Sequence, residues 1–132
     1  GAKGDTNIGL ALMTAVDAAV AKSNENDMNS VILFFSDGRT DVPGGKKAME
    51  ESLKMKEDAT IKAQENGIPV YSICLNASKA ADPEELKTIS EQTSGSFVAV
   101  KKAEDLTPAF EVFYSFFHFF FYCNYCFFHL FF

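Results

Sequence analysis

The chain has 132 residues and a formal net charge of −6 at pH 7, a size that suits one globular domain with a buried core. This acidic balance argues against a nucleic-acid-binding protein, because a phosphate backbone requires a basic surface. Three cysteines make no disulfide framework, and Cys74, inside an apolar run, is predicted to be a buried free thiol.

The first predicted element is a helix. Thr6 or Asn7 is a suitable N-cap, and the helix is predicted to continue to about Lys22, with a polar loop over residues 23–29. Because the chain begins directly before this helix, we expect further sequence of the parent protein upstream, and the cellular compartment is left open. Apolar residues recur at helical spacing at Ile8, Leu12, Val16 and Ala19.

A buried strand follows the first helix. Val31 to Phe35 is a continuous apolar run without polar alternation, which predicts a strand buried on both faces, as in the centre of a parallel sheet. The run stops at Ser36, Asp37 and Gly38. Ligands of open α/β sheets bind at the carboxyl ends of such strands, so Asp37 is a candidate binding residue. The alternative is a turn residue that caps its own loop.

Strands and helices alternate through the rest of the chain. Asn66-Gly67 is predicted to end a helix with a left-handed cap. Asp82 is predicted to cap the next helix, with Pro83 at its first position and Glu85 reaching back to the cap. This order predicts an α/β fold, a doubly wound, Rossmann-like parallel sheet flanked by helices. The predicted elements are a helix over 46–66, a strand over 68–75, a helix from 83 to before Gly95, a strand over 97–100 and a last helix from Thr107.

The composition changes near the C-terminus, so we divide the chain into a domain over 1–115 and a Phe-rich tail over 116–132. Of the 14 phenylalanines, ten lie at Phe113 or later, and no charged residue follows Glu111. The tail could be a membrane-seeking span, the only part of the chain for which membrane contact is expected. It could also be a metal site, or, the interpretation we favour, a frame slip into thymine-rich coding sequence. The metal ligands would be His118, Cys123, Cys126 and His129.

Four segments together resemble a known family. The segment GDTNIG, residues 4–9, opens the first helix, VILFFSDG ends the buried strand, and GIPVYSICL and SFVAV follow. Their order and spacing, over about residues 1–116, resemble the von Willebrand factor type A (VWA) domain, and imply a partial VWA fold. That family's first metal segment, Asp-x-Ser-x-Ser, does not occur here. We therefore expect the C-terminal portion of such a domain, lacking its first strand, with an unpaired edge along Val31 to Phe35.

The resemblance implies an incomplete divalent-metal site of the adhesion (MIDAS) type. Thr6 and Asp37 match two of the family's ligands, while Asp5, Ser36 and Asp41 could add weaker or outer contacts. Such oxygen ligands suit Mg²⁺, or Mn²⁺ or Ca²⁺, although two side chains predict weak binding.

The resemblance also implies a binding partner and a cellular location. The free metal position would accept a glutamate or aspartate of a protein ligand, as in an extracellular or cell-surface adhesion module. A cytoplasmic subunit that regulates an ATPase complex is the alternative within the same fold.

Enzyme interpretations fit less well. The loop from Gly38 to Lys46 follows a strand and precedes a helix, but its spacing departs from the phosphate-binding Gly-x4-Gly-Lys-Ser/Thr motif. The two histidines lie in the tail, so a Ser-His-Asp arrangement has no general base. We predict no enzyme activity. The alternative of a different class is a Mg-dependent phosphate-handling enzyme or a metal-dependent hydrolase centred on Asp37.

Overall fold

Strands and helices alternate in the structure as the sequence predicts. The computed structural model describes residues 7–26, 29–36, 40–75, 83–121 and 126–131. The alternation confirms the predicted α/β class, and the bounds of β3 equal the predicted ones. The elements are α1 (Ile8–Asn26), β1 (Asn29–Ser36), α2 (Gly45–Glu65), β2 (Val70–Leu75), α3 (Pro83–Gln92), β3 (Phe97–Val100), a 3₁₀ helix (Ala103–Asp105), α4 (Leu106–Phe121) and β4 (Cys126–Phe131).

The strands form one parallel, four-stranded sheet in the order β3-β2-β1-β4. Ile32 of β1 is level with Val70 of β2, and Ser72 of β2 is level with Phe97 of β3. The predicted central strand is therefore central, with a neighbour on each edge. Because both of its faces are covered as well, β1 needs no polar alternation.

Two apolar clusters lie on opposite faces of the sheet. Ile32 and Phe34 of β1 pack with α1, α2 and α3. The β1 residues that alternate with them, from Val31 to Phe35, pack with α4 on the other face. On the α4 side, the rings of Tyr71 and Phe113 meet edge to face with centroids 5.6 Å apart. Helices on both faces make the sheet doubly wound, as predicted. Cys74 is fully buried and unbridged, which confirms the predicted free thiol.

The first helix is longer than predicted. α1 continues to Asn26, so the prediction of a loop from residue 23 is wrong. Ser23 gives the physical reason, because its hydroxyl donates to the Ser30 hydroxyl at 2.8 Å and so holds the last helical turn on β1. Ser30 in turn donates to the Ala19 carbonyl at 3.0 Å. The polar residues from Ser23 onward therefore belong to the end of a helix that is hydrogen-bonded to β1, and not to a loop.

The end of α2 confirms the predicted left-handed cap. Gly67 has a φ of 64°, which a residue without a Cβ adopts readily. Its N–H donates to the Gln64 carbonyl, and the Ile68 N–H donates to the Ala63 carbonyl at 2.9 Å. These two bonds satisfy carbonyls at the helix end, as in a Schellman motif.

The outer edge of β1 is paired, which corrects the prediction of an unpaired edge. β4 runs parallel to β1, from Asn29 opposite Cys126 to Phe34 opposite Phe131. The prediction failed because it gave the Phe-rich segment no structural role, whereas α4 continues to Phe121 and crosses from the β3 side of the sheet to the β1 side. The division at 115/116 stays a prediction. Among the described residues, no helix is long and apolar enough to cross a membrane.

Candidate functional site

The carboxyl edge of the sheet is where α1 begins and β1 ends. α1 has 19 residues and β1 has 8, so their lengths are about 28 Å and about 26 Å. Only residues 27 and 28 join them, and the bond from Ser30 to Ala19 holds the amino end of β1 against the second half of α1. The two elements therefore run antiparallel, and Asn7 and Ser36 both lie at this edge.

Asn7 is the cap of α1. Its side-chain oxygen accepts a hydrogen bond from the Leu10 backbone N–H at 2.9 Å, which satisfies a donor that the helix leaves unpaired. The same oxygen accepts a 2.6 Å bond from the hydroxyl of Ser52 on α2. Ser52 is 3% exposed, so this link between the two helices is shielded from water.

α1 and α2 run side by side. Asn7 bonds with Ser52 at one end of the contact, and Lys62 of α2 forms a 2.6 Å ion pair with Asp17 further along. Both pairs are 45 residues apart in the chain, as expected for parallel helices in constant register.

Gly9 makes the close approach of these helices possible. A Cβ at position 9 would lie 2.1 Å from the carbonyl oxygen of Ser52 and 2.9 Å from the backbone nitrogen of Lys56. A side chain would force the helices apart, because both neighbours are backbone atoms. The glycine that closes the GDTNIG segment is therefore required for packing at the start of α1.

The loop that leaves β1 is anchored on α3. The Thr40 N–H donates to a carboxylate oxygen of Glu85 at 2.9 Å, and the Thr40 hydroxyl donates to the other. Lys56 of α2 forms an ion pair with Glu85 at 3.1 Å. The Glu85 side chain is 8% exposed, and this carboxylate joins three separate parts of the fold.

A cavity of about 310 Å³ opens beside Asn7. It lies between the start of α1, the loop before α2 and α2 itself, so the edge of the sheet is concave on this side. Its wall combines apolar side chains with one carboxylate. The lining residues are Asn7, Val42, Pro43, Ala48, Glu51, Ser52 and Met55.

The predicted metal ligands are only partly within the described residues. Thr6, Asp5 and Asp37 lie outside them. Ser36 ends β1 and is half-buried, and Asp41 is exposed. In the described ranges, no group of three or more His, Cys, Asp and Glu side chains could hold a metal ion. Of the tail ligands, Cys123 lies outside the described residues.

Two described residues, at the end of β1 and in the loop after it, carry oxygen donors. Ser36 and Asp41 offer a hydroxyl and a carboxylate. Thr6 and Asp37 carry the same two donor types but lie outside the described residues. Hydroxyl and carboxylate oxygens suit Mg²⁺, which keeps several waters when few protein ligands are present. A sulfur- or imidazole-based metal centre does not fit these donors.

The sequence did not predict the contacts that two residues, Asn7 and Glu85, make with distant parts of the chain. Asn7 was proposed as a cap but not as a partner of α2, and Glu85 was predicted to reach back to Asp82, which lies outside the described residues. That contact stays a prediction, and both carboxylate oxygens of Glu85 accept hydrogen bonds from Thr40. The partners of Asn7 and Glu85 are each 45 residues away in the chain, and no local pattern signals contacts of that range.

Comparisons with known proteins agree with this architecture. No curated protein and no solved structure matches the sequence. The family model for the von Willebrand factor type A domain matches residues 1–112, which include α1, β1, α2, β2, α3, β3 and the start of α4. Domains of this family serve in general as protein-interaction modules. Because this match covers most of the chain, the chain belongs to the von Willebrand factor type A domain family.

Proposed function

We propose that the chain is a protein-binding module, not an enzyme, that recognises an acidic side chain of its partner through a divalent cation. One observation carries this proposal: α1 begins and β1 ends at the same edge of the sheet. Thr6 directly precedes Asn7 and Asp37 directly follows Ser36, so chain connectivity supports their meeting there. The family match includes both positions.

The cation would solve an electrostatic problem. A chain with a net charge of −6 repels an acidic partner at long range. Mg²⁺ held by Thr6 and Asp37 would offer its remaining positions to water and to one glutamate or aspartate of the partner. Binding would then require the metal, and specificity would reside in the partner's carboxylate.

The described residues next to the proposed ligands are held in place by hydrogen bonds and by strand pairing. Asn7 is fixed by bonds to Leu10 and Ser52, and Ser36 is level with Cys74 in the sheet. Residues that hold the neighbours of ligands reduce the reorganisation that metal binding requires. This rigidity supports a preformed, although weak, cation site.

Paramagnetic broadening by Mn²⁺ tests the proposal. Mn²⁺ titrated into the ¹⁵N-labelled chain is expected to broaden the amide signals of Asn7, Ser36 and Asp41 first, and excess Mg²⁺ is expected to reverse the effect. Asp37→Ala should abolish the selective broadening. Asp58→Ala is the matched control, because Asp58 is an exposed carboxylate paired with Lys54 on the surface of α2.

The outcomes separate a site from general attraction. Selective broadening that Asp37→Ala removes and Asp58→Ala retains supports the proposal. Broadening that is spread over all acidic surfaces and unchanged by Asp37→Ala would show that this edge has no specific cation site. That result would overturn the proposal.

A further inference from the structure

We propose that the groove between α2 and α3 is a second protein-docking surface, which accepts a basic amphipathic helix of a partner protein. This surface includes none of the candidate cation ligands and requires no metal. Three features of the described residues point to it: the size of the groove, the apolar side chains that it exposes and the charge of its walls.

The groove is long enough for about two turns of a helix. Its volume is about 830 Å³, and it runs beside residues 53–64 of α2 and residues 84–92 of α3. At a rise of about 1.5 Å per residue, these stretches are about 16 Å and about 12 Å long. The ion pair between Lys56 and Glu85, at 3.1 Å, bridges the two helices near their amino ends. Beyond this pair, the groove continues toward the carboxyl ends of both helices.

The groove has an apolar floor and an exposed apolar wall. Ile89 of α3 lines the floor and is 3% exposed. Leu53 and Ile61 of α2 line the wall and are 40% and 44% exposed, two of the five large apolar side chains that are exposed in the described part of the chain. With Glu57 between them, they form one row at a spacing of four residues, which we call the α2 ridge. Such rows pack against a neighbouring helix, and covering this one would remove apolar surface from water.

The walls of the groove are acidic. Three carboxylates, those of Glu57, Glu84 and Glu85, line it together with one ammonium group, that of Lys56. Lys56 is paired with Glu85, and Glu57 is exposed in the middle of the α2 ridge. A partner that carries lysine or arginine beside its apolar residues complements this arrangement, whereas an acidic partner is repelled.

The backbone of both walls favours a helical partner over an extended one. The walls are helices, whose N–H and C=O groups bond within the helix, so they offer no row of donors and acceptors to an extended peptide. A helix satisfies its own backbone and presents apolar side chains on one face. Exposed amide and hydroxyl groups of Gln64, Thr88 and Gln92 also line the groove and are available to polar side chains of the partner.

The test uses the full chain and a fluorescently labelled synthetic peptide of leucine and lysine that forms an amphipathic helix. Fluorescence anisotropy gives the Kd in a low-salt buffer with EDTA, so that no cation contributes. One control peptide has the same composition in a scrambled order without an apolar face. The other has glutamate in place of lysine and keeps the apolar face. Chemical-shift changes in the ¹⁵N-labelled chain locate the bound peptide.

The variants change the α2 ridge without changing the core. Leu53→Gln combined with Ile61→Gln removes both exposed apolar side chains, and Glu57→Lys reverses the charge between them. Leu10→Gln is the matched control for the first, because Leu10 of α1 is also exposed, at 53%. Glu111→Lys is the matched control for the second, because Glu111 is an exposed carboxylate on α4. All these side chains are exposed, so every variant is expected to keep the unfolding midpoint of the intact chain.

We expect the leucine–lysine helix to bind the intact chain and to shift the amide signals of residues 53–64 and 84–92. The double variant is expected to bind about tenfold more weakly, because it loses both apolar anchors. Glu57→Lys is expected to bind about threefold more weakly at low salt, and added salt should remove this difference. Both control variants should bind like the intact chain, and both control peptides should bind more weakly.

The proposal fails if the leucine–lysine helix does not bind, or if the signals that it shifts lie outside the groove. Equal losses in the double variant and in Leu10→Gln would assign the binding to general apolar adhesion and would also overturn it. Equal binding of the scrambled or the acidic peptide would contradict the chemistry assigned to the partner. Because EDTA is present throughout, these results are independent of the proposed cation site.

Discussion

The hydroxyl of Ser52 donates a 2.6 Å hydrogen bond to the side-chain oxygen of Asn7, the residue that caps α1. This bond ties the start of α1 to the middle of α2 at the carboxyl edge of the sheet. It also fixes the residue that directly follows Thr6. The packing of the two helices therefore depends on this pair of side chains, which lies at the edge where the cation site is proposed.

Ser52→Ala tests the contribution of this pair to stability. Asn7 keeps its bond from Leu10, so only the bond from Ser52 to Asn7 is lost, and we expect the free energy of unfolding to fall by about 1 kcal/mol. Urea denaturation measures the change. Ser115→Ala is the control, because this exposed serine bonds only within its own helix at 3.0 Å, and its effect should be within about 0.5 kcal/mol. Equal effects of the two substitutions would contradict a special role of Ser52.

Gly9→Ala tests the close contact between α1 and α2. In an open helix, replacing glycine by alanine stabilises by about 0.5–1 kcal/mol. Here the new methyl group would lie 2.1 Å from the Ser52 carbonyl oxygen, so we expect a destabilisation of about 2 kcal/mol, as for other overpacked sites. The sign of the change in unfolding free energy decides the matter, since a more stable variant would show that the helices are not in contact at this point.

Tyr71 predicts a specific loss of stability at high pH. Burial raises the pKa of its hydroxyl above the ordinary value of 10.0. The folded chain then holds this proton more tightly than the unfolded chain, so the contribution is complete below about pH 10 and is lost as the pH rises through the folded-state pKa.

Comparison with Tyr71→Phe isolates this effect. We expect the stability difference between the intact chain and the variant to be constant up to about pH 9 and to shift against the intact chain above about pH 10. Denaturation midpoints at each pH give the difference. Parallel pH profiles of the two proteins would show that Tyr71 titrates normally.

The register of β4 on β1 is open to a crosslinking test. Asn29 is opposite Cys126, and the Cα atoms of paired neighbouring strands lie about 4.8 Å apart, within reach of a disulfide. In a Cys123→Ser background, Asn29→Cys is expected to form an intrachain disulfide with Cys126 on mild oxidation, detected by peptide mass. Ser30→Cys is the control, because a shift of one residue reverses the face of the strand. Crosslinked dimers in place of monomers would instead indicate that β4 is exchanged between chains.

The sequence predicted the parts of the fold that depend on local patterns. The apolar run of β1, the Asn66-Gly67 cap and the bounds of β3 follow from residue type and spacing over a few positions. The end of α1 was misjudged because the polar residues after Lys22 look like a loop until the bond from Ser23 to Ser30 is known.

The contacts around the candidate site join residues that are far apart in the chain. Thr40 and Glu85 are 45 residues apart, as are Asn7 and Ser52, and each single residue has an ordinary local explanation as a cap or a turn. The pairing of β4 with β1 was missed for a similar reason. A low-complexity composition indicates how a segment behaves in water but not which open strand edge it can reach.

Calorimetric titration of Mg²⁺ is the most direct test of the central claim, that Thr6 and Asp37 complete a cation site at the edge framed by Asn7 and Ser36. The intact chain is expected to bind one Mg²⁺ weakly, and the double variant Thr6→Ala, Asp37→Ala is expected to show no binding heat while keeping the unfolding midpoint of the metal-free chain. Equal binding by both proteins, or the absence of binding by the intact chain, would contradict the claim.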